Sequence, residues 1–377
     1  MKVSCLQDNL AKGLSIVQRA VPSRSSLPIL GTILVATDGP RLKLAATNLE
    51  IGINCWIGAK VDDEGAVAIP ARLLVDFVNS LPPERIEMDL NVRTNTLHLK
   101  CARFEANMNG MDPSDFPVIP SPDENNRVSI GADVLRDVIR QVTIAAATDE
   151  SRPVLTGVSV TFEGDRATFA AADGFRLSVR SAPLKESAPA PMTFIVPARA
   201  LDELARIASD EDEAVEMCIP EGRNQILFHL SSVDMVSQLI EGRFPDYKQI
   251  IPRTFTTRTI MNTGELLQAV RTTNIYAREA SNVVRLRIVP ASDLAPAHVE
   301  LNATAAQVGD NVGEVDATVE GEGLEIAFNS RYLIDVLSVV SQAQVALETT
   351  TPSSPGVIRP VGSDDFVHVI MPMHITQ

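Results

Sequence analysis

Three stretches open a helix-like run in nearly the same way: IPARLLVDFVNSL from Ile69, VPARALDELARIA from Val196 and FNSRYLIDVLSVV from Phe328. Arg72, Arg199 and Arg331 stand 127 and 132 positions apart. Other landmarks keep the step. Pro28 of LPILGTILV and Pro153 of RPVLTGVSV are 125 apart, and Phe116 of DFPVIP and Phe244 of RFPDYKQIIP are 128 apart. A period this long is the size of a domain, not of a solenoid unit of roughly 20–50 residues. Each repeat can fold around its own core, and 377 residues is more than one core usually serves. The expected domains are therefore 1–122, 123–253 and 254–377. Both boundaries follow proline-bearing stretches, VIPSPDENN and QIIPRTFTT.

The pattern within a repeat is also regular. Apolar residues at helical spacing predict a first helix over Asp8–Ala20, Ala132–Ala145 and Gly264–Ala277. A second helix is predicted over Ala71–Leu81, Ala198–Ser209 and Ser330–Ser341. A proline at the first two starts costs no hydrogen bond there, and Asn329 supplies an N-cap at the third. Between helices lie short alternating runs, with Asp38-Gly39 and Gly164-Asp165 as hairpin signals. The fold class is α+β: three similar domains, each with two helices packed on one face of antiparallel sheets.

Hydrophobic residues at 45% and charged residues at 21% are ordinary globular proportions, which argues against disorder. MKVSCLQDNLAKG has no apolar core for a signal peptide, and no run reaches the ~20 apolar residues of a membrane span. A cytoplasmic location is expected. Cys5, Cys55, Cys101 and Cys218 are far apart with no C-x-x-C pair, so buried reduced thiols are expected rather than disulfides.

A net charge of −15 speaks for solubility and against nucleic acid, but only as an average. The cations recur on the helices. Lys12 and Arg19 are seven apart, Arg136 and Arg140 four, Arg271 and Arg278 seven, and Arg199 and Arg206 seven. Such offsets place pairs on one helical face. The acidic surplus lies in VDDEG, SPDENN, SDEDEAVE and EVDATVEGEGLE. One basic helix is an ordinary solvated face, and Asp133, Asp137 and Asp202 dilute the signal. Recurrence on four helices points to a shared basic surface for phosphate backbones, read without base contacts and weakened by salt.

Catalytic motifs are missing. The chain contains no G-x-x-x-x-G-K-[ST], G-x-S-x-G, H-E-x-x-H or G-x-G-x-x-G. His98, His229, His298, His368 and His374 are scattered, no Cys/His cluster has zinc spacing, and Asp173-Gly174 is a turn before it is a catalytic carboxylate. Aromatics at 4% argue against stacking on single strands.

LPILG, TNLE, IPAR, AADGFRL, GRFPDYKQIIP, EIAFNSRYLIDVL and VIMPM, in this order across the whole chain, resemble the bacterial DNA polymerase III sliding clamp, the β subunit family. GRFPDY and VIMPM are the specific motifs. The resemblance implies a head-to-tail homodimer, six similar domains in a closed ring, with helices lining a hole around double-stranded DNA. It implies a processivity factor with no catalytic site, cofactor or metal. Lys12, Arg19, Arg24, Arg136, Arg140, Arg199, Arg206, Arg271 and Arg278 become the DNA-facing set, Arg24 from the loop PSRSS.

The resemblance also implies a partner-peptide pocket between the second and third domains. Matching positions are Leu155, Gly174, Phe175, Arg176, Leu177 and Pro245, with Ile250, Val369, Met371, Pro372 and Met373. Apolar walls with flexible methionines suit short hydrophobic motifs from several partners. Those of the family are the polymerase III catalytic subunit, the clamp loader and other clamp-binding-motif proteins, ligase and mismatch-repair proteins among them. Phe175 stands where histidine is common in the family, and Gln249 where arginine is. From the residues alone, Val369–Met373 reads as a last core strand. The implied ring interface sets Phe104, Ala106 and Met108 against Ile275 and Tyr276. Two other classes remain open on the residues: a protein scaffold that never meets DNA, and an enzyme whose site lies at a domain junction.

Overall fold

The computed structural model describes residues 1–121, 127–208, 213–220 and 224–374. The boundary expected near 122, parts of the acidic runs SPDENN and SDEDEAVE, and the last three residues lie outside the described residues. Among the described residues six α-helices form where the apolar spacing places them: α1 Gln7–Val17, α2 Ala71–Ser80, α3 Ala132–Thr143, α4 Ala198–Ile207, α5 Thr263–Ala277 and α6 Ser330–Val339. α1 continues as a tight 3₁₀ turn, Gln18–Ala20. Leu10, Leu14 and Val17 are buried on α1, and Leu333, Val336 and Leu337 on α6. Asn329 caps α6 by accepting from the Arg331 N–H at 3.0 Å. Pro70 sits one residue earlier than a first-turn proline would, as the extended N-cap of α2 (φ −50°, ψ 118°) and the last residue of strand Ala66–Pro70.

Residues 1–132 and 203–239 form one compact unit, and 133–202 with the chain from 240 onward form another. Among the described residues all strand pairings are antiparallel. The first unit has a five-stranded sheet in the order Lys60–Asp63, Lys2–Leu6, Arg85–Asn91, Thr96–Cys101, Phe104–Asn109. Its eight-stranded sheet runs Arg127–Gly131, Ala214–Cys218, Gln225–His229, Val233–Gln238, Ile51–Gly58, Arg41–Thr47, Thr32–Asp38, Ala66–Pro70. That sheet joins two sequence repeats where Ile51–Gly58 meets Val233–Gln238, with Ile53 opposite Met235.

The second unit has one sheet of twelve strands. From one end these are Met192–Pro197, Gly157–Glu163, Arg166–Ala172, Arg176–Pro183, Phe366–Ile370 and Gly356–Pro360. Then come Gln344–Thr349, Thr257–Asn262, Gly309–Gly321, His298–Ala305, Val283–Val289 and Leu324–Asn329. Arg176–Pro183 pairs with Phe366–Ile370 as Ile51–Gly58 pairs with Val233–Gln238, so the second and third repeats are joined by the same kind of contact. The hairpin signals hold: Gly39 (φ +56°) and Gly164 (φ +58°) turn the chain between neighbouring strands.

All four cysteines are buried and none is in a disulfide, and burial pushes Cys5 up to about 12 and Cys55 to about 11. No helix among the described residues is long and apolar enough to cross a membrane.

Candidate functional site

Strand alternation builds an apolar patch on one face of the twelve-stranded sheet. Leu177 and Val179 face that side, opposite Val369 and Val367, and with Ala170, Ala172 and Val357 they form one buried cluster. Phe244, Tyr247 and Ile251, from the GRFPDYKQIIP segment, pack over it half-buried. Phe244 and Tyr247 meet edge to face, with centroids 6.3 Å apart. Asp246 holds this segment in shape by accepting from the Lys248 N–H at 3.2 Å and from Gln249 Nε2 at 2.8 Å. Burial, then the Asp246 charge, pushes the Tyr247 phenol up.

The rim of the patch is a wired loop. Asp173 Oδ1 accepts from the N–H groups of Phe175 (2.8 Å) and Arg176 (2.9 Å), and Gly174 supplies the left-handed turn at φ +95°. Phe175 is left 58% exposed, and its carbonyl accepts from the Met371 N–H at 2.8 Å. Met371 is 41% exposed, Pro372 and Met373 are half-buried, and the Met373 N–H donates to the Ala327 carbonyl at 2.8 Å. Pro245 and Ile250 are exposed. Leu155 is buried on the turn Pro153–Thr156. The 240s segment crosses that turn, since a Cβ at Gly242 would meet Val154 at 2.7 Å.

Arg176 behaves differently from its neighbours. It projects from the opposite face to Leu177, pairs with Asp335 at 2.6 Å and Asp173 at 3.0 Å, and stacks on Tyr332 at 4.2 Å. Its side chain thus links the loop to α6.

Of the residues expected to face DNA, Lys12, Arg136, Arg140, Arg199, Arg206 and Arg271 sit on α-helices, Arg19 on the turn after α1, Arg278 at the end of α5 and Arg24 in a loop. In the first unit Lys12, Arg19, Arg24 and Arg206 are exposed, and Arg19 and Arg206 both pair with Glu203. In the second, Arg140, Arg199, Arg271 and Arg278 are exposed and Arg136 is half-buried. Arg271 reaches Ser338 at 3.3 Å, and Arg278 pairs with Glu279 at 3.3 Å. At the expected interface Phe104 is exposed, Ala106 half-buried and Met108 buried in its own sheet, while Ile275 is 54% exposed and Tyr276 half-buried. Among the described residues no three His, Cys, Asp or Glu side chains gather as metal ligands.

Three α+β repeats, each with two helices on antiparallel sheets, define a clamp-type protein. Family models match in order along the chain: the DNA polymerase III beta subunit N-terminal domain over 1–120, its central domain over 129–246 and its C-terminal domain over 248–374. The chain belongs to the DNA polymerase III beta subunit family. It is 31% identical to the beta sliding clamp of Staphylococcus aureus over 382 aligned residues, 99% of each chain. It superposes on the DNA polymerase sliding clamp from Bacillus subtilis with a TM-score of 0.93 at 30% identity, covering all of both chains. For the DNA polymerase III subunit beta from Pseudomonas aeruginosa the TM-score is 0.90 at 27% identity, again over the full length of both.

Proposed function

We propose that this chain is a DNA sliding clamp: two copies close head to tail into a ring around duplex DNA and tether the replicative polymerase and other DNA-processing proteins. The observation that carries the ring is the repeated strand joint. Ile51–Gly58 and Arg176–Pro183 each pair with a strand of the following repeat. The strands holding those places in the third and first repeats are Gly309–Gly321 and Phe104–Asn109. Over 309–316 and 104–109 each is paired on one side only. Open edges invite pairing, and a heterologous contact repeated between copies makes a ring when the rotation closes.

Side chains support the same joint. Arg19, Ile144 and Ile275 each stand two positions beyond Val17, Val142 and Thr273 of the first helices, and Ile144 packs on the third repeat's core. Ile275 then meets the first repeat of a second copy. Leu73, 50% exposed, stands where Tyr332 packs on that core, and so joins Phe104, Ala106 and Tyr276 in the interface. Met108 contributes backbone rather than side chain. Asp310, Glu314 and Asp316 on one edge complement Arg103 beside the other.

In this reading Lys12, Arg19, Arg24, Arg136, Arg140, Arg199, Arg206, Arg271 and Arg278 face the DNA backbone. The patch around Leu177, Val369, Phe175 and Met371 takes hydrophobic peptide motifs of the polymerase, the clamp loader and other partners. Attachment is topological, so an acidic protein holds DNA without strong phosphate binding. The protein does no chemistry itself, and the domains are 1–122, 123–253 and 254–377. Solution mass tests the joint. Twice 40.7 kDa is expected for the wild type and 40.7 kDa for Ile275→Asp. A wild-type mass of 40.7 kDa, or an undiminished mass for the variant, contradicts it.

A further inference from the structure

Two of the arginines assigned to DNA share one carboxylate. Glu203 Oε2 accepts from Arg19 Nη1 at 3.2 Å, and Oε1 accepts from Arg206 Nη1 at 2.7 Å. The Glu203 side chain is 13% exposed, against 35% for Arg19 and 58% for Arg206. The carboxylate is thus the least exposed member of the trio. Each guanidinium has five N–H donors in a fixed fork, so one bond to Glu203 orients it and leaves donors for a phosphate. Arg19 ends the first helix of the first repeat and Arg206 lies on α4 of the second. One buried-side anion therefore sets the pose of both and reduces their summed charge by one.

Each cation that neutralises a phosphate adds about 0.9 to the logarithmic salt dependence of DNA binding. A ring retained by topology needs no such affinity, and contacts that must break at every step oppose movement. We propose that Glu203 is a positioning and charge-setting residue: it holds Arg19 and Arg206 side by side and keeps their attraction for backbone phosphates low enough for sliding. This rests on the clamp reading above. Glu203 stands four residues after Arg199, where the other repeats have Asp76 and Asp335. Asp76 lies 3.7 Å from Arg72 of its own helix, and Asp335 binds Arg176 of the groove loop. Glu203 instead pairs with two residues of the proposed DNA-facing set.

Rings of wild-type, Glu203→Gln, Glu203→Ser and Asp76→Asn protein are loaded onto a duplex blocked at both ends, and one-dimensional diffusion is tracked from low to high salt. Both Glu203 variants are expected to diffuse about threefold more slowly at low salt and to converge on wild type at high salt, as released cations require. Asp76→Asn is expected to move like wild type. In an Arg19→Gln, Arg206→Gln background the Glu203→Gln change is expected to have no effect. A disturbed fold would weaken DNA contact, so slowing that salt abolishes is a readout a structural role does not give. Unchanged or faster diffusion of either Glu203 variant overturns the inference, and so does loss of ring assembly in both. Failure of the wild-type ring to stay on the blocked duplex would count against the clamp reading instead.

Discussion

At the residue scale the proposed peptide groove depends on a few apolar side chains held by a polar frame. Met371 is fixed by its backbone hydrogen bond to Phe175 while its side chain stays available. Truncating one buried contact residue of an interface typically costs about 1–3 kcal/mol. Met371→Ala is therefore expected to weaken binding of a hydrophobic clamp-binding peptide about tenfold with no change in solution mass. Equal affinity by calorimetry would remove Met371 from the site.

His368, on the strand Phe366–Ile370, is fully buried, with Nδ1 2.7 Å from Ser178 Oγ and Nε2 without a partner among the described residues. Burial, then the nearby Arg176 charge, lowers it from 6.5 to about 3. Between those values the unfolded chain holds a proton that the folded chain does not, so stability falls as pH drops from about 6.5 towards 3, and is full above that window. His368→Gln is expected to lose less stability than wild type between pH 7 and pH 4.5 in urea titrations. Identical losses would contradict the assignment. That Leu177 and Val369 share one buried apolar cluster fits the motifs AADGFRL and VIMPM in which they stand. The inward turn of Arg176 was not legible in them, because its partners Asp335 and Tyr332 lie some 160 positions away.

At the element scale the helices were the readable part. Their 3.6-residue apolar spacing is local, and α1 to α6 fall within a few residues of the predicted spans. The strand joints were not readable, since Ile53 and Met235 are brought opposite each other across two repeats by the sheet and not by any local pattern. The acid four residues after Arg72, Arg199 and Arg331 was in plain view but carried no meaning until its partners were located.

Gly13 shows how packing overrides propensity. A Cβ there would stand 2.8 Å from Leu44 Cδ1 and 2.9 Å from Ile57 Cγ2, where α1 crosses the sheet. Helix propensity favours alanine by about 1 kcal/mol, but overpacking a tight core costs about 1–3 kcal/mol. Gly13→Ala is expected to be destabilising in chemical denaturation, and a stabilised variant would show that the contact yields easily.

At the scale of the whole molecule, sequence triplication and sheet topology give one description. Each internal joint uses the same two strand positions, and the chain ends its series with one of each left over. The acidic surplus is unevenly placed. The helices carry cations and acids in equal number, while the surplus that makes the net charge −15 lies in strands and loops, so the mean charge alone says little about a DNA role. Ring closure is the claim on which the DNA reading depends. The direct measurement loads the protein onto nicked circular DNA with a clamp loader, removes free protein, and linearises the circle. Retention on the closed circle and loss through the new ends are expected. Failure to stay on the circle, or retention unchanged after cutting, would contradict a ring threaded on its duplex.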